Sequence, residues 1–555
     1  MFLKGPFKVT IPTLQSLSKP FLTTTPIFYV NAAPHLGHLY SLVLCDSIAR
    51  FQKIFRTDRP VFSSTGTDEH GLKVQTVAQE QNKRPLDLCT ENSQRFQNLA
   101  VLANTAYSHF IRTTNKQHVA AVQGFWNQLK EKKYIEFQHH EGWYSTSDET
   151  FYPESALQRI VNEKTGEEEL VSTETGKKVQ WSSEMNYHFK LSSLRSRLIE
   201  LYEQNPNFVQ PSIYHNQVLS ELKSGLQDLS ISRPRSRLSW GIPVPNDDFQ
   251  TIYVWLDALV NYLTVAGYPW NSSDPASGGW PADVHIIGKD IVRFHCIYWP
   301  AFLMAAGLPL PKQILVHSHW TMNKVKMSKS LGNVIDPFEL IKDYGEEIVK
   351  YYLLKQGRLT SDSNFEIEGL EKDYEHDLRR NLGVLTSRIQ SKKLYVSEEV
   401  QKEWTSPIMG IEKHQEYINH LSQLPDTCAA YAHQGQMHAF IETLQNTLRS
   451  ATKLLQESEP WNLESNSPAR TDVLMLTAHT LRICGILFQS VIPQKSSELL
   501  DQLGVPKGNR TFKDAKDTFI ATQFNLGKKQ KNHLFQKKTP ASTINSSISE
   551  TFIKS

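Results

Sequence analysis

Cysteine is scarce. The 555 residues hold five (Cys45, Cys89, Cys296, Cys428, Cys484), none in a CxxC pair. That excludes a disulfide scaffold and paired-cysteine zinc sites, and suits a reducing compartment. An excess of one charge is lacking too. Lys plus Arg total 60 against 57 Asp plus Glu, a formal net charge of +3. This excludes a supercharged nucleic-acid coat but not a local basic patch. No apolar run is clean enough to cross a membrane. The stretch from Pro20 to Cys45 has no Asp, Glu, Lys or Arg, but it carries Pro26, Asn31, Pro34, His35, Gly37 and His38, all expensive in lipid. Acid is absent before Asp46, while Lys4, Lys8 and Lys19 stand among Ser and Thr. Residues 1–19 therefore read as a mitochondrial transit peptide lacking the usual arginine; the alternative is a disordered tail.

What remains is ordinary globular composition, with 39% hydrophobic and 21% charged residues. The length allows three or four domains at about 150 residues each. FLTTTPIFYV (21–30) reads as a buried strand, NAAPHLGHLY as a turn into a helix, and RPVFSSTGTDEHG as a second strand and loop before another helix. Such alternation predicts an α/β fold with a doubly wound parallel sheet. Residues 20–133 are its first half. From 134 to 234 short aromatic and polar runs predict an inserted subdomain. Alternation resumes over 235–345, from 346 to 506 amphipathic helical patterns predict a bundle, and 507–555 read as a basic polar tail.

Two motifs carry chemistry. His35-Leu36-Gly37-His38 lies where a strand meets a helix, a natural anion site, with imidazoles able to donate to phosphate. The bland alternative is a capped helix start with structural histidines. Lys326-Met327-Ser328-Lys329-Ser330, on a loop of the second half, offers two mobile cations to a triphosphate. It is also consistent with a solvated Lys/Ser loop. Asp68, after the second strand, can accept from an ammonium or cap the next helix. Tyr29, Trp255 and Tyr262 suit a thioether, but Trp255 and Tyr262 are seven apart and fit one core helix face equally well.

These motifs resemble those of class I aminoacyl-tRNA synthetases. TTPIFYVNAAPHLGH, STGTDEHG, SWGIPVP, YVWLDALVNY, HIIGKDIVRFH and KMSKSLGNVIDP resemble, in order, the methionyl-tRNA synthetase family from about Thr23 to Pro337, and more weakly to about Pro493. The resemblance implies a Rossmann-type catalytic domain with a helical anticodon-binding domain. It implies activation of methionine by ATP with Mg²⁺, and transfer to tRNA(Met). It also implies that His35, Gly37, His38, Gly288, Asp290, Lys326, Ser328 and Lys329 meet ATP, with His35, His38, Lys326 and Lys329 catalytic. Ile27, Tyr29, Asp68, Trp255, Ala258, Tyr262, Ile291 and His295 would form the methionine site. Arg380 and Trp461 would read the anticodon, with Arg379 or Asn381 one register step from Arg380, and Arg233 is similar to a family arginine near the nucleotide. Many members carry a zinc knuckle in the insertion; no Cys lies between Tyr134 and Leu191, so no structural zinc is expected. A monomer in the mitochondrial matrix, without membrane association, is expected. The alternatives are another class I synthetase and a non-catalytic RNA-binding relative.

Overall fold

The computed structural model describes residues 19–145, 150–152, 154–161, 166–173, 175–270, 274–326, 334–404, 411–528 and 533–537. At its centre is a six-stranded parallel sheet. Its strands in chain order are β1 (Phe21–Tyr29), β2 (Val61–Asp68), β3 (His109–Arg112), β4 (Val209–Gln210), β5 (Val284–Gly288) and β6 (Ile314–His317). Their spatial order is β3-β2-β1-β5-β6-β4. Strand order reverses between β1 and β5, so a crevice opens at their carboxyl ends, where open α/β sheets bind ligands. The Thr24 hydroxyl lies 2.7 Å from His285 Nδ1 across that junction.

Helix α1 (Leu36–Phe55) follows β1, and helix α2 (Val254–Val265) precedes β5. They belong to two different apolar cores. The core containing α1 continues into the C-terminal helices, where Phe51 meets Phe440 and Phe512 edge-on. The other contains α2 and the helix Lys116–Glu131. In helix α4 (Met437–Ser458; α3 is Glu346–Gln356), Met437, Phe440, Ile441, Leu444, Leu448, Ala451 and Leu455 are buried, the three-and-four spacing of one apolar stripe. Helix α5 (Pro468–Phe488) is long and apolar enough to cross a membrane, but its apolar window is wholly buried inside the bundle.

Two expectations change. The stretch 134–234 is not all insertion. Its first part is an antiparallel sheet built on Ile135–Ser145 and Gln180–Phe189, but β4 returns from it to pair with β6 at the edge of the central sheet. Nor is 507–555 wholly a tail. Phe512, Phe524, Leu526, Leu534 and Phe535 are buried in the bundle core. The buried Arg482 guanidinium donates to the carbonyls of Asp514 (2.6 Å) and Asp517 (2.7 Å). Isolated large apolar side chains anchor this basic stretch without any periodic pattern.

Candidate active site

The chain leaves β1 and enters α1 through a histidine cap. His35 is the N-cap; its Nδ1 accepts the Gly37 N–H (3.1 Å), while His38 Nδ1 accepts the His35 N–H (3.1 Å). The two rings stack at 3.8 Å. A Cβ on Gly37 would stand 3.0 Å from His35 Cε1, so glycine lets the ring fold over the first turn. Because main-chain N–H groups only donate, both Nδ1 atoms accept, and each neutral ring carries its proton on Nε2. The cap uses the Gly37 and His35 N–H groups, and each imidazole keeps an Nε2–H able to donate.

Across the junction, Gly288 ends β5. A Cβ there would stand 2.6 Å from Asp290 Oδ1, so the glycine makes room for that carboxylate. Asp290 Oδ1 also lies 3.2 Å from His319 Nε2. Desolvation raises the Asp290 carboxyl, but His319 outweighs it and holds the group at about 2. His317 closes the floor: the Ser41 hydroxyl on α1 lies 2.8 Å from its Nε2. Burial drives His317 down to about 4.

Beside this lies an aromatic cluster. Tyr29 and Ile27, half-buried at the end of β1, stand in register with Asp68 and Gly66 of β2. Helix α2 supplies Trp255, Ala258 and Tyr262. Trp255 stacks on Phe294 at 3.6 Å, and Tyr262 packs on His285 at 4.1 Å. The Tyr262 hydroxyl lies 2.8 Å from His295 Nε2, and His295 Nδ1 lies 3.0 Å from the Ile291 carbonyl. A carbonyl only accepts, so His295 donates from Nδ1 and accepts the Tyr262 proton at Nε2. Burial pushes His295 down to about 4, which keeps it neutral. His295 lies in a widened π turn, Phe294–Tyr298, of the kind that gathers at functional sites.

Sequence reasoning did not single out the groups that hold the two residues after Asp68. Glu69 accepts from Arg112 Nε (2.7 Å) at the end of β3, and the Trp240 indole donates to the Glu69 carbonyl (2.6 Å). His70 Nδ1 and His118 Nε2 reach the two oxygens of Asp257, on α2, at 2.7 and 2.8 Å. The signal was legible: Asp257 is a lone charge in the apolar run YVWLDALVNYL, and a buried charge needs partners.

Other expected residues stand apart. The Lys326 side chain, Ser328 and Lys329 lie outside the described residues. Arg233 is lodged over the rings of Tyr144, Phe151 and Tyr253, where it braces the insertion. In the helical region Trp461 is 44% exposed, just past the end of α4. Arg380 is exposed but turned back onto Glu375 (2.7 Å), Arg379 pairs with the same carboxylate, and Asn381 is locked onto Gln445 (2.6 Å). Farther along the same path the Lys393 carbonyl accepts from Arg470, in the first turn of α5. Trp461 lies in the α4–α5 connection, and Arg388, eight residues past Arg380, is also exposed.

The sequence model of the class I tRNA synthetases (M) matches residues 21–390. The chain belongs to the methionyl-tRNA synthetase family. Relatives in that family include a Schizosaccharomyces pombe protein named "Probable methionine--tRNA ligase, mitochondrial", 61% identical over 97% of this chain and 100% of its own length. The Homo sapiens "Methionine--tRNA ligase, mitochondrial" is 40% identical over 88% of this chain and 84% of its own. Among solved structures, the Mycobacterium tuberculosis methionyl-tRNA synthetase in complex with methionyl-adenylate superposes with a TM-score of 0.85. It is 34% identical, covering 94% of this chain and 100% of that one.

Proposed function

We propose that this methionyl-tRNA synthetase family member is a mitochondrial methionine–tRNA ligase. It joins methionine to ATP as methionyl-adenylate and then esterifies tRNA(Met) in the mitochondrial matrix. The observation that carries the reading is the junction of β1 and β5. There the two capped histidines, Gly288 and Asp290 adjoin a pocket of Tyr262, His295 and Trp255.

In the first step a methionine carboxylate oxygen attacks the α-phosphorus, and the bond to pyrophosphate breaks. No covalent enzyme intermediate is needed, so the protein positions reactants and neutralises charge. His35 and His38 donate Nε2–H to phosphate oxygens, Gly37 and Gly288 admit the ligand closely, and Asp290 accepts from the ribose. Lys326, Ser328 and Lys329 meet the departing pyrophosphate, and Mg²⁺ arrives with ATP, held by phosphate and water. Asp68 accepts from the ammonium. Ile27, Tyr29, Trp255, Ala258, Tyr262, Ile291 and His295 enclose the side chain, where aromatic faces suit the soft sulfur. In the second step the terminal ribose 2′-OH attacks the acyl carbon and AMP leaves.

Trp461 is exposed, which favours a stacking platform for an anticodon base over a core anchor. As polar reader, Arg388 sits better than Arg380, whose guanidinium Glu375 holds back. The protein acts as a monomer in this reading. ATP–pyrophosphate exchange with methionine, leucine, isoleucine, valine and cysteine in turn tests it. Exchange with methionine alone is expected; exchange with another amino acid, or with none, refutes the assignment.

A further inference from the structure

Asp257 has no place in the chemistry just described, yet it is one of the most enclosed charges in the molecule. Its side chain is 1% exposed, and the imidazoles that contact it are 8% (His70) and 0% (His118) exposed. An ionised carboxylate only accepts, so each ring donates to it. The three groups come from three separate elements. His70 is two residues past Asp68 on the loop after β2, His118 is in the first turn of the helix Lys116–Glu131, and Asp257 is on α2 between Trp255 and Ala258.

The loop that follows Asp68 at the end of β2 is therefore held at two points. On one side Glu69 is gripped by Arg112, and its N–H donates to Thr113 Oγ1 at 2.9 Å. On the other side His70 is fastened to α2, the helix that supplies the pocket wall. His118 then ties Asp257 to the helix Lys116–Glu131 and reaches Thr264, two turns further along the same face of α2, at 2.9 Å. Glu69 fixes the loop to the sheet. The His70–Asp257 bond fixes it to the helix that walls the side-chain pocket.

We propose that Asp257 is a positioning residue for amino-acid recognition: through His70 it sets the distance between the Asp68 carboxylate and the pocket wall on α2. The inference rests on the reading of Asp68 and α2 as the methionine site. A ligand that must meet a carboxylate with its ammonium and an aromatic pocket with its side chain requires that spacing to be fixed, and a misplacement of about 1 Å is expensive. ATP does not span the gap, so its binding does not depend on it.

The test is steady-state ATP–pyrophosphate exchange on the full chain, with methionine and ATP varied separately and active sites titrated. In Asp257→Asn the methionine KM is expected to rise about tenfold, the ratio for loss of one buried charge-assisted bond, with the ATP KM within about twofold of wild type. His70→Ala is expected to do the same. His70→Asn, which keeps an N–H donor near the Nδ1 position, is expected to restore most of the methionine KM. A merely structural role would lower the melting temperature and the titrated active fraction and leave both KM values alone; that result overturns the proposal. So does a parallel rise of both KM values. If Asp257→Asn does not fold, the His70 pair decides alone. Wild-type exchange with methionine separates the two layers: with it present and the variants unchanged, only this inference falls, and without it the reading of the site falls as well.

Discussion

Lowering the pH from 7.5 to 5.5 is expected to weaken this protein through histidines that the fold keeps neutral. His295 and His317 are both fully enclosed, and burial drives each from 6.5 to about 4. Their bonds explain how the neutral ring is held: Nδ1 of each meets a main-chain carbonyl, Ile291 at 3.0 Å and Ser318 at 2.9 Å, while Nε2 faces the hydroxyl of Tyr262 or Ser41 at 2.8 Å. The folded value lies below the unfolded one, so the unfolded chain takes up a proton first as pH falls. The stabilisation is complete above about 6.5 and is lost progressively between there and about 4. At pH 5.5 an unfolded imidazole is about nine-tenths protonated and the native one hardly at all, so each ring removes about 1–2 kcal/mol. His285 and His479, lowered further by burial, steepen the same slope. The assay is urea unfolding at both pH values, followed by tryptophan fluorescence. His295→Gln and His317→Gln will each lower stability at pH 7.5, but that baseline cancels. The expected result is that the pH-induced loss shrinks by about 1–2 kcal/mol in each variant. An unchanged loss in both would refute the argument from burial.

Asp68→Asn should weaken methionine by about 1.5–3 kcal/mol, the range for a charge-assisted bond, and spare ATP, as separate KM measurements would show. Lys329→Ala should slow pyrophosphate exchange roughly 10²–10³-fold with methionine binding nearly intact, because its charge matters most as pyrophosphate departs. Trp461→Ala and Arg388→Ala should cut tRNA charging while exchange, which needs no tRNA, stays normal; stacking is worth about 1–3 kcal/mol per base. Arg380→Ala should do less, and the reverse ranking would return the reader's role to Arg380. Deleting residues 2–18 should leave an active enzyme in the cytosol. Residue 19 should be kept, because Arg59 Nε donates to its carbonyl (2.6 Å) and its ammonium pairs with Asp283 (3.6 Å); mitochondrial import of the truncated chain would refute the targeting role.

Sequence made the catalytic half legible because its signals are local. HLGH sits at a strand–helix change that the apolar pattern marks, and the strands on either side are long enough to show themselves. Legibility failed where contact rather than pattern decides. Strand β4 is two residues, Val209 and Gln210, too short for any alternation, and only its pairing with Ile314 and Leu315 makes it a strand. Phe512, Phe524 and Phe535 lie in polar text with no period, so their burial depends on a surface built by distant helices. The register around Arg380 was equally hidden: Arg379 and Arg380 both turn to Glu375 and Asn381 to Gln445, contacts that no local pattern announces.

The division into catalytic and helical halves is itself a property of the pattern more than of the packing. Helix α1 carries His35 at its start and Asp46 within, and Asp46 accepts from Lys350 of α3 at 2.6 Å, with both side chains at most 2% exposed. Arg50 and the Ala106 N–H complete the carboxylate at 2.8 and 2.9 Å. Desolvation raises the Asp46 carboxyl, but Lys350 and Arg50 outweigh it and keep it ionised. On the same helix Tyr351, next to Lys350, and Lys355, just over a turn farther on, reach Asp377, which also meets Arg449 of α4. Breaking such a buried pair by removing one partner costs about 3–5 kcal/mol. A rotation of the bundle against the sheet would break it without removing either charge, and would strand both. Helix α1, capped by His35, and helix α4 of the bundle are thus fastened through α3 into one body.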